Sequence, residues 1–447
     1  MAPPVRAQAD CYDWASSEFF EIATDMDITR CIESGMDPNS ISGGYATALH
    51  AAVALTEDTA VFAALIQGGA NANARDQNGT PVLHLAAALT PNPDVIAALI
   101  VGNADIDARI DNGRTAMHFA AAFNANPSIV RALLQGNGDP NARGEQGWMP
   151  LHAAAGNDAD PSVVAELLAG AADATAPKDD GQTPLHLAAQ FSPNPVLVTT
   201  LIDAGADPNA SNAYGWTPLH MAAGNGDGDA VVTALIAAGA DANTLDNNGW
   251  PPLFLAARYN DSSTVISALL DGHADPSLRD RSGDTALHIA AADNENPAVV
   301  TALIDGGANP NAQDVTDWTP LFEAAGNNDN PAIIAALIAG NADPNARSVV
   351  GGTPLHEAAA HNGYAANVTA LIEGGADPDA QDRLGSTPLH LAAARGVEPA
   401  ILTALRDGGA DPSVRTSDGS TAWDWAQDKD NLIETDVWQR LRDTDTE

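Results

Sequence analysis

Apolar residues along this chain arrive in short bursts at helical spacing, and each burst closes on a glycine step and a polar turn. Ile129-Val130 and Leu133-Leu134 stand at i, i+3 and i+4, the spacing that gives a helix one buried face. Val196-Leu197-Val198 with Leu201-Ile202 does the same. Ahead of that burst lies Asn194-Pro195, and an Asn-Pro or Asp-Pro pair also stands at Asn92, Asn126, Asp160, Asn296 and Asn330. Such a pair starts a helix. The cap side chain accepts a free N–H, and proline at the first helical position forfeits no bond. A shorter, alanine-rich helix comes first in the unit, with Thr183 capping Pro184-Leu185-His186-Leu187-Ala188-Ala189. The pattern predicts two helices per unit and an all-α chain.

The unit recurs without slip. Thr183-Pro184-Leu185-His186 returns at Thr217, Thr353 and Thr387, and the histidine position falls at 50, 84, 118, 152, 186, 220, 254, 288, 322, 356, 390 and 424, every 34 residues. Histidine fills nine of these twelve positions, and Phe254, Phe322 and Asp424 fill the others. A fixed period of this length means one supersecondary unit stacked many times. The second helix ends at pairs such as Gly68-Gly69, Gly136-Asn137 and Ala204-Gly205, as a left-handed C-terminal cap requires. At Gly170-Ala171 and Gly272-His273 the second residue is unusual, and the glycine is expected to serve as the cap. A segment such as Ala206-Asp207-Pro208-Asn209-Ala210, with a turn to Gly215, then returns the chain to the next helix.

The order Gly-x-Thr-Pro-Leu-His-x-Ala-Ala, then a Val/Ile/Leu-rich helix, then Gly-Ala-Asp-x-Asn-Ala, resembles the ankyrin repeat over nearly the whole chain, from Asp13 to Leu441. The resemblance implies an all-α ankyrin-repeat solenoid of stacked helix-turn-helix units with hairpin-like loops. The expected division is a flexible tail over 1–10, an N-terminal capping repeat over 11–44, eleven repeats over 45–418 and a C-terminal capping repeat over 419–447. Atypical ends are expected because terminal units cover the exposed core. One internal copy also departs from the pattern: in Gly79-Thr80-Pro81-Val82-Leu83-His84, Thr and Pro sit one position early.

Charge narrows the partner. The chain has 59 acidic and 19 basic residues, for a net charge of −40, and its lysines are Lys178 and Lys429. Such a surface repels phosphate backbones and anionic membranes, which disfavours nucleic acid as a partner. No apolar run is long enough for membrane insertion. Cationic partners, cations or a salty habitat are the readings left. The two cysteines, Cys11 and Cys31, are either a disulfide or two separate thiols by spacing alone. As an antiparallel helix pair would bring them together, with Cys11 at the start of the first cap helix and Cys31 late in the second, a disulfide is expected. Ala7-Gln8-Ala9 is similar to a signal-peptidase site, which points to export (periplasmic or secreted), with a cytoplasmic location as the alternative.

Catalytic chemistry finds little footing. The nine motif histidines read as rings tying one repeat to the next, since repeats about 10 Å apart cannot share a metal bound at about 2 Å. His356 and His361 in His356-Glu357-Ala358-Ala359-Ala360-His361 are five apart, about 500° of helix, so their rings diverge from a zinc-protease arrangement. Neither lysine follows a glycine, so no phosphate loop is present. Gly224-Asn225-Gly226-Asp227-Gly228 lies between two helices, without the strand that a dinucleotide fingerprint needs. Ten aspartates share one register, at 37, 105, 139, 173, 207, 241, 275, 343, 377 and 411. Carboxylates accepting loop N–H bonds are favoured over a calcium ladder, for no twelve-residue calcium loop accompanies them. The expectation is no catalytic residue, no metal and no cofactor.

In the ankyrin family, partners lie on the concave groove formed by hairpin tips and first helices. Here the position after the hairpin glycine is Trp148, Trp216, Trp250 and Trp318 in four repeats, and the end of the first helix carries Leu89, Phe123, Phe191 and Tyr259 in four. The sets coincide in one repeat, while Gly156-Asn157, Gly224-Asn225 and Gly326-Asn327 accompany the other Trp residues, as if the ring needs a small neighbour. Asp293, His361 and Arg395 hold the helix-end position further on. The reading is a monomeric scaffold that binds a cationic or amphipathic protein through Phe123, Trp148, Phe191, Trp216, Trp250, Tyr259 and Trp318. The alternative is a self-associating structural or matrix-type solenoid.

Overall fold

A computed structural model describes residues 9–14, 16–40, 47–226, 228–360, 365–395 and 398–427. Among these residues there are 25 α-helices, two short 3-10 turns and no strand. The chain divides into two compact units, Met1–Pro218 with Ala237–Ala240, and Leu219–Ile236 with Asp241–Glu447.

In the first unit, first helices such as Ala116–Phe123, Pro150–Gly156 and Pro184–Phe191 alternate with second helices Pro127–Gln135, Pro161–Ala169 and Pro195–Asp203. The second unit follows the same plan, with Pro252–Tyr259, Ala286–Asp293 and Pro320–Asn327 alternating with Ser263–Asp271, Pro297–Asp305 and Pro331–Ala339. The expected caps are in place. The side chains of Asn92, Asn126, Asp160, Asn194, Asn296 and Asn330 each accept the N–H two residues on. Each second helix turns inward the face that the apolar spacing marked: Ile129, Val130 and Leu133 are fully buried. Truncating a buried leucine such as Leu133 to alanine is expected to cost about 2–5 kcal/mol.

At the end of the second helix the glycine step works differently from its sequence reading. Ala171 and His273 themselves take the left-handed conformation, each at φ 65. Gly170 and Gly272 do not. The glycine is there for close approach, because a Cβ at Gly272 would lie 2.2 Å from Ile236 Cδ1 of the preceding second helix. Left-handed Ala or His is strained by about 1–2 kcal/mol, a cost that repeat stacking overrides.

Within each of the two units, neighbouring repeats are tied by polar ladders at the ends of the second helix. On the hairpin side, Asn141 donates to the carbonyl of Ala171 at 2.9 Å and accepts the N–H of Asp173 at 2.8 Å, and Asn243 does the same to His273 and Asp275. At the far end of the first helix, buried Asn294 donates to the carbonyls of Ala257 and Asn260, and Asn328 to those of Ala291 and Asn294. Asparagine recurring at 260, 294 and 328 was a visible signal for this second ladder.

At the N-terminal end, Cys11 lies in a separate 3-10 turn, Cys11–Asp13, ahead of the first helix Ser17–Ile22 rather than at its start. Cys31 is late in Asp25–Glu33, and the two Cα atoms are 5.4 Å apart, a separation a disulfide spans. Ala9 is buried, and its carbonyl accepts from Arg30 at 2.5 Å. Of the C-terminal repeat the helix Ala422–Ala426 is described, whereas the segment around Val437 and Leu441 lies outside the described residues.

Candidate functional site

The motif histidines are struts between repeats, most of them bonded at both ring nitrogens. In the repeat from Thr183, His186 Nδ1 accepts the Thr183 backbone N–H at 3.2 Å and lies 2.9 Å from its hydroxyl. Nε2 therefore carries the proton and donates to the carbonyl of Trp216, 2.9 Å away in the next hairpin. The same bond runs from His118 to Trp148, His220 to Trp250 and His288 to Trp318, at 3.1–3.2 Å. Burial, the largest cause, holds the imidazoles of His118, His152, His220 and His288 below the ordinary 6.5, His118 and His152 down to about 4. They are neutral tie-bars between repeats, as the sequence indicated.

The carbonyl that receives each strut belongs to the tryptophan register, so the backbone under those rings is fixed. The hairpin closes over it as well: Trp250 N–H donates to Asp246 Oδ1 at 2.8 Å and Trp318 N–H to Asp314 Oδ1 at 2.7 Å. All four rings are half-buried. Trp250 meets Phe254 edge-on at 5.8 Å and Trp318 stacks on Phe322 at 5.6 Å, while Trp148 meets His152 edge-on at 6.3 Å. The helix-end rings differ. Phe123 is 59% exposed, Phe191 51% and Tyr259 61%. The first unit thus holds Phe123, Trp148, Phe191 and Trp216, and the second holds Trp250, Tyr259 and Trp318.

The small-neighbour rule holds at Trp148, where a Cβ on Gly156 would lie 3.3 Å from the ring. It does not hold at Trp250. There the equivalent residue is Arg258, whose guanidinium lies over Trp250 at 5.6 Å and over Tyr259 at 5.3 Å, and pairs with Asp293 at 3.1 Å. A long cation covers the ring instead of avoiding it.

Two clusters escaped sequence reasoning. Around Trp148, Arg114 and Lys178 approach the ring at 5.4 and 5.0 Å. In the second unit, Asp284, Asp314 and Glu323 bring three carboxylate oxygens within 4.8 Å of one another. Asp284 occupies the register that is tryptophan at 250 and 318. Its Oδ1 is buried with no hydrogen-bond partner. Burial first, then Asp280 and Asp314, push Asp284 up to about 6. Burial likewise raises Glu323 to about 7 against the opposing bond from Asn327, with Asp284, Asp314 and Asp293 adding repulsion. These residues come from successive hairpins and a helix, so only the period, followed residue by residue, would have joined them.

A family model for ankyrin repeats (3 copies) matches the chain in overlapping windows that run from residues 49–143 to 355–435. The chain belongs to the ankyrin-repeat family. No curated protein matches it.

Within this ankyrin array the shared aspartate register is structural. Asp139, Asp207 and Asp343 each accept, through Oδ1, the N–H two residues on, at 2.8–2.9 Å, and Asp37, Asp275 and Asp411 do the same. His356 is one of the struts, bonded to Ser386, while His361 lies outside the described residues. No helix among the described residues is long and apolar enough to cross a membrane.

Proposed function

We propose that this chain is a non-enzymatic scaffold that holds a protein partner of cationic or amphipathic surface on the hairpin-side face of its units. The observation that carries the reading is the exposure of Phe123, Phe191 and Tyr259 at the ends of first helices, in a chain only 5% aromatic. Rings left in water beside half-buried tryptophans are the residue types that dominate binding energy at interfaces. The net charge of −40 favours a basic partner and disfavours nucleic acid. His186, like most of the motif histidines, is bonded at both ring nitrogens, which leaves it no general-base role. The protein acts as a monomer that meets its partner outside the cytoplasm, with Cys11 and Cys31 joined as a disulfide.

Cross-linked affinity capture from the native source, followed by alanine variants, tests this. Phe191→Ala is expected to weaken capture of the partner by about 2 kcal/mol while changing the melting temperature little, because half of the ring is already in water. Trp216→Ala is expected to lower both. Unchanged affinity in both variants would remove the assignment. Light scattering that grows with concentration would favour the self-associating solenoid instead. Two free thiols by mass spectrometry, in protein purified from an oxidising compartment, would overturn the disulfide and export together.

A further inference from the structure

Each hairpin between repeats turns on two tip residues, and most tips are polar, as at Asp111-Asn112, Asp179-Asp180 and Asn247-Asn248. An exposed turn favours such residues because their side chains bond their own backbone. Three consecutive hairpins of the second unit break this rule. Val315, Val349, Val350 and Leu384 stand at their tips, all exposed, Val315 by 71% and Leu384 by 69%. These side chains neither fill the core nor bond the turn. Contiguous apolar groups left in water mark a surface that something else covers.

The tips form one edge. Val315 N–H donates to the carbonyl of Ser282 at 3.1 Å, Val349 to that of Thr316 at 3.3 Å and Arg383 to that of Val350 at 3.1 Å. Neighbouring tips are thus held in register, and because these backbone groups are spent on each other, a partner meets side chains here. Along the edge, one tip position reads Arg281, Val315, Val349, Arg383: two aliphatic side chains bracketed by two guanidiniums. Both arginines are exposed, and neither makes an ion pair among the described residues. The carboxylates of these hairpins lie beneath. Asp280, Asp314 and Asp382 are half-buried, and each accepts two N–H groups of its own turn at 2.7–3.0 Å. Asp317, in the place of a hairpin glycine, is half-buried as well. In a chain of net charge −40, four consecutive tips therefore present two cations and no acid.

We propose that this edge binds an amphipathic helix of a protein partner, one whose aliphatic stripe is bracketed by carboxylates. Spacing favours a helix. Stacked repeats set the tips about 8–10 Å apart, and seven residues of α-helix rise about 10 Å, so residues i and i+7 meet successive tips. Carboxylates at i and i+21 then reach Arg281 and Arg383, with aliphatic residues at i+7 and i+14 on Val315 and Val349. The helix drifts by about 60° over three heptads, which falls on the ends, where the long arginine side chains take it up. The charge of the whole chain does not forbid an acidic partner. Physiological salt screens it beyond about 8 Å, whereas the pairs with Arg281 and Arg383 form within that distance. The edge lies outside the rings of the scaffold reading above and takes a partner of opposite charge, so the two can fail separately.

Fluorescently labelled helical peptides, titrated against the full chain in about 0.15 M NaCl, test this. The first carries Glu, Leu, Leu and Glu at heptad spacing on an alanine-rich helix. The second has Lys in place of each Glu, and the third has both Leu moved to the opposite face. The first is expected to bind saturably, about tenfold more tightly than either of the others. Val349→Asn with Val350→Asn, which copies the tip Asn247-Asn248, should weaken it about tenfold. Arg281→Gln or Arg383→Gln should each weaken it about threefold and reduce its salt dependence. Arg131→Gln, which removes a cation already paired with Glu166, should change nothing. If the valine variant melts below the parent, the two arginine variants decide alone. No saturable binding of the first peptide, or binding that the tip variants leave unchanged, overturns the proposal. Self-association of the chain that is lost in the valine variant would make a second copy the occupant and overturn it too. The lysine peptide reads the other surface. If it binds and is weakened by Phe191→Ala while the first peptide fails, the edge assignment falls and the scaffold reading stands. If only the first peptide binds, weakened by the tip variants, the edge stands and the groove falls.

Discussion

His84 is the one motif histidine whose Nδ1 is buried without a hydrogen-bond partner. The cause is a one-residue shift in its repeat. Pro81 stands where other repeats place a donor, and the helix Val82–Leu89 begins behind a residue with no N–H to give. The converse occurs at Thr319, whose hydroxyl is orphaned because Phe322 has replaced the histidine it would meet. Phe254 avoids the conflict, since Pro251 sits at its cap and a phenyl ring asks for no donor. Replacing Pro81 with Thr is therefore expected to stabilise the first unit. A buried unsatisfied acceptor costs about 1–3 kcal/mol, whereas losing the proline's rigidity costs about 0.4–1 kcal/mol. The net gain should be about 1 kcal/mol, read as a rise in the denaturant midpoint at unchanged slope. A fall would mean that Pro81 holds the adjoining hairpin, through the bridge from Arg75, more firmly than the missing bond weakens the strut.

At the scale of the element, the Asp284–Asp314–Glu323 cluster makes one inter-repeat junction sensitive to pH in the direction opposite to the histidine struts. Asp284 and Glu323 are raised from 3.8 and 4.5 to about 6 and about 7, so the folded state binds more protons than the unfolded one between roughly pH 4 and 7. Their contribution is present at low pH and is lost as pH rises through 6 to 7. His118 and His152 are lowered from 6.5 to about 4, so their contribution is present above 6.5 and is lost as pH falls toward 4. Glu323→Gln keeps an acceptor for Asn327, which donates to the carboxylate at 2.6 Å. This variant should match the parent at pH 5 and exceed it at pH 8 by about 1 kcal/mol, the full shift being reduced by solvent screening. A benefit independent of pH would show that the carboxylates do not repel.

The sequence made the helices, caps and struts legible because each is local chemistry repeated every 34 residues. It did not show the carboxylate trio, the Arg258 lid or the cations on Trp148, because these join residues about one repeat apart whose side chains differ from copy to copy. It misread Gly170 and Gly272 for a related reason. Their constraint comes from Leu134 and Ile236 of the preceding repeats, not from their own φ.

For the molecule as a whole, charge is the dominant unbalanced quantity. Against 59 acidic residues there are 19 basic ones, and the described residues contain five ion pairs. The repeated aspartates spend an oxygen on loop N–H groups, but they keep their charge. Neighbouring repeats stack at about 10 Å, close to the screening length of about 10 Å in 0.1 M salt, so repulsion between repeats acts almost undiminished at low ionic strength and fades as salt is added. The melting temperature at pH 7 should therefore climb between about 10 mM and 1 M NaCl. A gain of 1 kcal/mol corresponds to about 2–4 °C for units of this size, so a rise of several degrees is expected. Acid provides the cross-check. Near the isoelectric point of about 4.2 the net charge vanishes, and the same salt series should move the melting temperature far less there. A flat series at pH 7 with 1 mM EDTA present would show that unlike charges already balance locally. A series that is flat only without EDTA would show instead that divalent cations had been neutralising the surface.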